Sequence, residues 1–210
     1  MNTPYSSHIP RSASAHDLLT MQIRTLPLNS RLAALFGNIP ANAPFSGVVW
    51  GNAGSAKSTL ALEFAMELGR FGTILYNTSE EHFSVGTIQQ RLRFLPVLSP
   101  RVTFLENRSL EELMNALATR KPLAVVVDSV SEMDAEQEEV IGLIDEFPDT
   151  SFVFVAQATA NDRKPLGRNA LRHKVDFVIK CERRGGSRIA INEKNRLAPT
   201  AQEMVIFEVN

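Results

Sequence analysis

Three polar residues, Lys57, Ser58 and Asp128, carry the most specific chemistry in this sequence of 210 residues. Lys57 and Ser58 follow a run of small residues that starts at Gly51, after the apolar run 48–50 and before a helical pattern of apolar residues. A strand, a small-residue loop and a helix N-terminus in that order direct backbone N–H groups at an anion, and the helix dipole adds to the attraction. The sequence therefore predicts a polyphosphate-binding loop, in which Lys57 reaches the outer phosphates and the Ser58 hydroxyl binds Mg²⁺.

This loop departs at one position from the P-loop pattern, because Ala56 stands where the second glycine is expected. A Cβ costs little there if φ is negative, but it crowds the phosphates if the position needs glycine geometry. We therefore expect the alanine to affect the rate of turnover more than nucleotide binding. The residues expected to contact the nucleotide run from the first loop residue into the helix: Gly51, Asn52, Ala53, Gly54, Ser55, Ala56, Lys57, Ser58 and Thr59.

Carboxylates stand at the ends of two apolar runs that predict strands. One run leads to Glu80 and Glu81, and another, 123–127, closes on Asp128. Ligands of an open α/β sheet bind outside the carboxyl ends of its strands. Asp128 is therefore predicted to hold Mg²⁺ together with Ser58. Glu80 or Glu81 could accept a proton from an attacking water, or both could simply begin a helix as acids in its first turn.

A glutamine and a basic loop follow the fourth predicted strand, 151–156. Gln157 can hydrogen-bond a γ-phosphate, or it merely meets solvent at the end of the strand. The loop 158–171 has few apolar residues, and its cations could contact the phosphates of nucleic acid. The predicted nucleic-acid contacts in this loop are Arg163, Lys164 and Arg168.

The whole pattern predicts one α/β domain that ends in a hairpin. Apolar strands alternate with helical patterns, and two strands joined at Gly185-Gly186 and a last alternating strand, 203–209, follow them. Residues 26–210 are predicted to form this domain. Residues 1–25 are predicted to form a flexible N-terminal segment, since their first part is rich in Ser, Pro, Asn and Thr.

Composition and charge limit the classes of function. The hydrophobic fraction of 44% is ordinary for a globular protein, and no apolar run approaches the ~20 residues that span a bilayer. The single cysteine, Cys181, excludes an internal disulfide framework and suits a reducing compartment, so a cytoplasmic location is expected. Residues 106–150 carry 3 basic and 12 acidic residues, whereas residues 151–210 carry 11 and 6. The last third therefore offers either a polyanion-binding surface or a solvated face of mixed charge.

From Gly47 to Val209 the order of elements resembles the ATPase core of the RecA/RadA family, which also underlies the DnaB-type helicases and KaiC. The segments similar to the family's motifs are, in chain order, 57–60, Glu80-Glu81, Asp128-Ser129, Gln157, Leu171-x-His173-x-Val175-Asp176 and Lys194-Asn195-Arg196. The last two segments are the specific ones, because a P-loop with a downstream aspartate fits many NTPases.

The resemblance implies a three-layer P-loop NTPase with a RecA-like core, built on a mostly parallel central sheet with a C-terminal antiparallel hairpin. It implies an ATPase that binds ATP and Mg²⁺ between the protomers of a ring or a helical filament. Glu80 would activate water, Gln157 would sense the γ-phosphate, and Lys194 and Arg196 of the next protomer would stabilise transition-state charge. Such a protein acts on DNA, single-stranded DNA in particular, in recombination, repair or replication, and residues 1–25 could link its subunits.

Two departures from the family pattern leave other functions open. Ala56 fits a degenerate P-loop protein that binds ATP and barely hydrolyses it. The segment after Asp128 is short and acidic, so the first DNA loop of RecA is nearly absent and DNA binding depends on 158–171 alone. The second hypothesis is therefore a KaiC-like or loader-type regulatory ATPase, which assembles with nucleotide and binds a protein partner through the acidic region 106–150.

Overall fold

A computed structural model describes residues 12–106, 109–133, 135–158 and 169–208. Its centre is one sheet of eight strands in the order β3-β2-β4-β5-β1-β6-β7-β8. The strands are β1 (Ser46–Gly51), β2 (Ile74–Thr78), β3 (Val102–Leu105), β4 (Ala124–Asp128), β5 (Ser151–Gln157), β6 (Phe177–Arg184), β7 (Ser187–Asn195) and β8 (Glu203–Glu208).

The sheet is parallel from β3 to β6 and antiparallel from β6 to β8. Strand β4 is buried along its whole length, and its three valines, 125–127, have no exposed surface. β-Branched residues in a continuous apolar run suit a parallel strand that is covered on both faces. The predicted architecture, a mostly parallel sheet with a C-terminal antiparallel hairpin, is confirmed.

Helices cover both faces of the sheet and give the molecule three layers. The α-helices within the described ranges are α1 (Ala15–Thr20), α2 (Ser30–Phe36), α3 (Lys57–Leu68), α4 (Thr87–Phe94), α5 (Leu110–Thr119), α6 (Gln137–Glu146) and α7 (Asn169–Lys174). Helices α2 and α3 pack on one face, and α5, α6 and α7 pack on the other. No helix among the described residues is long and apolar enough to cross a membrane.

An aromatic cluster fixes α3 against the sheet. The rings of Phe36 and Phe64 stack with centroids 3.9 Å apart, and Phe177 meets Phe36 edge-on at 5.2 Å. A Cβ on Gly47 would lie only 2.0 Å from the ring of Phe177, so β1 needs glycine where that ring crosses it. Because β1 and α3 carry the two ends of the predicted phosphate loop, this packing sets the shape of the loop.

The described part of the N-terminal segment, residues 12–25, is mostly exposed. Helix α1 buries no residue, and the side chains of Leu19 and Ile23 are largely exposed. Near the end of the segment, the carbonyl oxygen of Arg24 accepts a hydrogen bond from the Ala41 amide at 2.8 Å, and Thr25 forms an antiparallel bridge with Pro40. The boundary at residue 25 stays a prediction, and residues 1–11 lie outside the described ranges.

Candidate nucleotide-binding site

The loop between β1 and α3 adopts the tight turn that its small residues predict. A Cβ on Gly51 would lie 2.1 Å from the carbonyl oxygen of Cys181, and Gly54 has a φ of 71°. Ala56, the residue before the first turn of α3, lies in the left-handed region with φ 73° and ψ 23°. The position therefore needs glycine geometry, and the alanine occupies it at a cost of about 1–2 kcal/mol.

We expect Ala56→Gly to raise the free energy of unfolding by about 1 kcal/mol, because glycine removes the left-handed strain. The matched control is Ala53→Gly in the same loop, whose φ is not positive. This control should leave stability unchanged or lower it, since glycine adds freedom to the unfolded chain. Thermal and urea unfolding of both variants measure the difference. Equal changes in the free energy of unfolding for the two variants would contradict the proposed strain at Ala56.

The Lys57 ammonium lies inside the loop. Its Nζ donates to the carbonyl oxygen of Asn52 at 2.9 Å, and the residue is almost fully buried. Burial lowers the pKa of Lys57, and the charges of Glu80 and Asp128 oppose that shift. A buried cation with two carboxylates nearby is suited to bind a polyphosphate together with a metal ion.

The predicted metal ligands lie together under the loop. The Ser58 hydroxyl donates to Oδ1 of Asp128 at 3.1 Å, and the Tyr76 hydroxyl donates to Oδ2 at 2.5 Å. Burial raises the pKa of the Asp128 carboxyl, and these two hydrogen bonds oppose the shift. Mg²⁺ prefers a few oxygen ligands from the protein plus phosphate oxygens and water, so Ser58 and Asp128 fit this ion.

The two glutamates after β2 have different surroundings. Oε1 of Glu80 accepts hydrogen bonds from Ser129 Oγ at 2.7 Å and from Gln157 Nε2 at 3.2 Å. Glu81 instead forms an ion pair with Arg91 and accepts a hydrogen bond from Thr87 at 2.7 Å. The structure thus brings Glu80 and Gln157 together at the phosphate loop, and it gives Glu81 the task of holding Arg91.

A cavity of about 280 Å³ lies where these groups meet, and Lys57, Ser58, Glu80 and Gln157 all line it. A second cavity of about 500 Å³ is mainly apolar and lies against Phe94, Leu95 and Pro96. The residues that line both cavities are Thr59, Arg91 and Phe207. The site therefore has a polar compartment beside the loop and an apolar compartment beyond it.

Lys194 and Arg196 do not reach the cavity of their own chain. Lys194 pairs with Val178 near the start of β6, whereas the loop leaves the sheet at the level of Cys181. Nζ of Lys194 donates to three carbonyl oxygens around the end of α7, at 2.8, 3.0 and 2.6 Å. Arg196 contacts Asp176 at 3.2 Å, and its side chain is 55% exposed. Both cations thus lie at the opposite edge of the sheet from the phosphate loop of their own chain.

The predicted nucleic-acid contacts Arg163, Lys164 and Arg168 lie outside the described residues. Within the described ranges, three residues that the sequence pattern did not single out contact Asp128 or line the cavities: Tyr76, Arg91 and Phe207. A fourth is Arg188, whose Nε donates to the carbonyl oxygen of Gly54 at 2.8 Å. The sequence contained a weak indication of the role of Arg91, because this residue follows Glu80-Glu81 in a helix that begins near the carboxyl ends of the strands.

The strand–loop–helix unit, the buried aspartate and the strand order define the class of the P-loop NTPases with a RecA-like core. No protein-family profile matches the chain. Among curated proteins, it is 27% identical over 187 residues to "DNA repair protein RadA" of Haemophilus influenzae, which covers 81% of this chain and 39% of that protein. It is also 27% identical over 178 residues to the RadA of Bacillus subtilis, with 77% and 38% covered.

Solved structures give the same fold. The RadB recombinase aligns with a TM-score of 0.61 at 19% identity, covering 86% of this chain and 94% of that one. The flagellar accessory protein FlaH from Methanocaldococcus jannaschii aligns with a TM-score of 0.63 at 14% identity, covering 90% and 96%. The resemblance to RecA/RadA-like P-loop ATPases is therefore confirmed. The chain spans less than two fifths of the length of the RadA proteins it matches.

Proposed function

We propose that this chain is a RecA-like ATPase that binds Mg·ATP, hydrolyses it at the contact between protomers and acts on DNA in recombination or repair. The observation that carries the proposal is the convergence of Lys57, Ser58, Glu80 and Gln157 on one cavity of about 280 Å³. Each group has a distinct task in phosphoryl transfer: Lys57 binds the outer phosphates, Ser58 is a metal ligand, Glu80 activates water, and Gln157 senses the γ-phosphate.

The apolar compartment is the proposed place for the nucleobase. Its volume of about 500 Å³ lies within the range of ligand pockets, and it opens beside Thr59, the residue after the proposed metal ligand. Phe207 offers an aromatic face for stacking, and the Arg91 guanidinium lies at the junction with the polar compartment. Glu81, which accepts a hydrogen bond from Thr87, fixes that guanidinium, so the second glutamate supports nucleotide binding rather than water activation.

Assembly supplies the groups that the site lacks. A head-to-tail contact places the edge with Lys194 and Arg196 against the loop of the next copy, and such heterologous contacts give rings or helical filaments. An arginine that reaches a neighbour's nucleotide in this way is worth about 10³-fold or more in phosphoryl transfer. The segment 1–25 is the proposed arm that links one copy to the next, since the side chains at its described end are exposed and apolar.

DNA is the proposed partner because the relatives that match the sequence are named for DNA repair and a structural neighbour is named a recombinase. The basic segment 158–171, whose last three residues begin α7, follows Gln157 along the chain, so the residue that would sense the γ-phosphate comes shortly before the proposed DNA contacts in the sequence. Hydrolysis and DNA binding would be linked through this short path. The cytoplasm is the proposed location of this activity, because a single cysteine suits a reducing compartment.

The test is one titration series that follows uptake of a fluorescent ATP analogue and retention of labelled single-stranded DNA. Wild type should bind DNA more tightly with Mg·ATP. The variant Arg163/Lys164/Arg168→Ala should lose at least tenfold in DNA affinity and show a shallower salt dependence, because each phosphate contact on a single strand contributes about 0.7 to the slope. Its nucleotide uptake should not change. Absence of DNA binding at low salt removes the DNA part of the proposal, and absence of nucleotide uptake removes all of it.

Two observations support the alternative functions. The protein FlaH is named a flagellar accessory protein, and it aligns with this chain as well as the recombinase does. The fold is therefore also compatible with a regulatory ATPase that has a protein partner. Oligomers that form with nucleotide and ignore DNA would favour that function. The left-handed Ala56 fits a protein that binds ATP without fast turnover. Phosphate release near zero in wild type and in Ala56→Gly would establish that second alternative.

A further inference from the structure

We infer that Tyr76 is a positioning residue for the metal site, because its hydroxyl holds the Asp128 carboxylate in the orientation that Mg²⁺ requires. The inference rests on the proposed function and deepens it. Nothing in the sequence pattern of the site assigns a task to this tyrosine, which stands in the middle of β2.

The strand register brings the two side chains together. Tyr76 of β2 lies opposite Val126 of β4, and Asp128 comes two residues further along β4. Residues two apart on a strand point to the same face, so Tyr76 and Asp128 are diagonal neighbours on the face that α3 covers. The span from one strand to the next along this diagonal suits the length of a tyrosine side chain, and its hydroxyl meets Oδ2 at 2.5 Å.

Each oxygen of the carboxylate has its own donor. Ser58 donates to Oδ1 at 3.1 Å, and Tyr76 donates to Oδ2. The Ser58 oxygen is itself a proposed metal ligand, so that hydroxyl would serve the metal ion as well as Oδ1. Tyr76 is the donor that would serve the carboxylate alone.

Burial restricts the tyrosine hydroxyl to this one task. Tyr76 is 3% exposed, and its ring packs against Phe104 with centroids 5.3 Å apart. The other acceptor within its reach, the carbonyl oxygen of Ser58, lies at 3.4 Å, which is long for an O–H···O bond. A phenylalanine would fill the same space without the cost of burying a polar group, so the hydroxyl is present for its hydrogen bond.

The experiment compares Tyr76→Phe with wild type in the binding of a fluorescent ATP analogue over a Mg²⁺ titration. We expect the variant to need about tenfold more Mg²⁺ for half-maximal enhancement of binding, because a hydrogen bond to a charged group is lost. Its affinity for the analogue in EDTA should match wild type. An unchanged or lower Mg²⁺ midpoint overturns the inference, since the hydroxyl would then be neutral or would compete with the metal.

The control for a purely structural effect is Phe104→Leu, which disturbs the packing of the same ring and keeps the hydroxyl. This variant should have a lower melting temperature and an unchanged Mg²⁺ midpoint. A tenfold shift of the Mg²⁺ midpoint in Phe104→Leu would overturn the inference. If wild type takes up no nucleotide with or without Mg²⁺, the proposed function fails. If wild type binds with a Mg²⁺ dependence that Tyr76→Phe shares, the positioning inference alone fails.

A second measurement does not need the variant to fold. The chain has two tyrosines, Tyr5 and Tyr76, so protein labelled with 3-fluorotyrosine should give two ¹⁹F resonances, which Tyr5→Phe assigns. The Tyr76 resonance should shift when Mg²⁺ is added to the nucleotide-bound protein, because the metal ion would add its charge beside the carboxylate that the Tyr76 hydroxyl contacts. A resonance that ignores Mg²⁺ at saturation overturns the inference.

Discussion

Replacing Glu80 by glutamine is expected to lower the rate of ATP hydrolysis about a thousandfold while nucleotide binding stays within a few-fold of wild type. Glu80 is the carboxylate that lines the phosphate cavity, where Ser129 and Gln157 hold its Oε1. Glutamine keeps the size of the side chain and an acceptor for the Ser129 hydroxyl, but it cannot take a proton from water. Steady-state phosphate release and equilibrium binding of an ATP analogue measure the two quantities separately.

The matched control is Glu81→Gln, one residue further along the chain. Its carboxylate pairs with Arg91 and Thr87, so this change should weaken nucleotide binding and keep hydrolysis at saturation within about tenfold of wild type. If Glu81→Gln abolished ATP hydrolysis and Glu80→Gln did not, the roles of the two glutamates would be reversed, and Glu81 would be the residue that activates water. Negligible rates in wild type and both variants would instead indicate a protein that binds ATP only.

Arg196→Ala is expected to lower hydrolysis by about a thousandfold in the assembled protein, because the cation proposed to reach the neighbour's phosphates is removed. The fold should tolerate the change. The guanidinium is half exposed, and an exposed ion pair such as that with Asp176 contributes at most ~1 kcal/mol. Nucleotide uptake by the variant's own loop should persist, since Arg196 lies at the other edge of the sheet. Phosphate release per protomer and binding of the ATP analogue check both statements.

Mixing two inactive variants gives the sharper test of action between copies. A protomer with Arg196→Ala keeps Glu80, and a protomer with Glu80→Gln keeps Arg196, so a contact between them can complete one site. In an equal mixture about a quarter of the head-to-tail contacts should be complete, and hydrolysis should recover in proportion. A mixture no more active than its components would show that Arg196 does not act on a neighbour's nucleotide.

Lys194 is a poorer subject for the same test. Its three bonds to carbonyl oxygens stabilise the end of α7, and cations at helix C-termini are favourable there. Truncation of this side chain would lower folding stability together with any chemistry between copies. Arg196 separates the two effects better, because its three hydrogen bonds are longer, at 3.2 to 3.4 Å, and its side chain is 55% exposed.

The architecture could be predicted from the sequence because its strongest signals are local. The valines of β4 form an apolar run that ends in a carboxylate, and such a run predicts a buried parallel strand with a functional tip. The same rule for strand tips placed Asp128, Glu80 and Gln157 at one edge, and the structure brings them together there. The positions of these residues could be predicted because parallel strands align their carboxyl ends at one edge of the sheet. That rule requires no information on side-chain packing.

The contacts that the sequence could not predict depend on geometry across elements. Arg91 and Arg93 have the same type and lie two apart on α4, and only the packing of that helix turns Arg91 towards the cavities. Tyr76 could not be recognised, because its contact with Asp128 needs the register between two strands. The positive φ of Ala56 also could not be predicted, because alanine by itself favours a negative φ. The positive value results from the tight turn between β1 and α3.

The position of the phosphate loop and Arg196 at opposite edges of one sheet gives polarity to any assembly built through this contact. In an open row, the last copy at one end keeps its loop uncovered, and the last Arg196 at the other end faces solvent. A row of n copies therefore completes n − 1 sites, whereas a closed ring completes n. Turnover per copy then rises with the length of the row, and a partner that covers one end would stop growth at that end, whereas growth and the gain in rate would stop fully only with both ends covered.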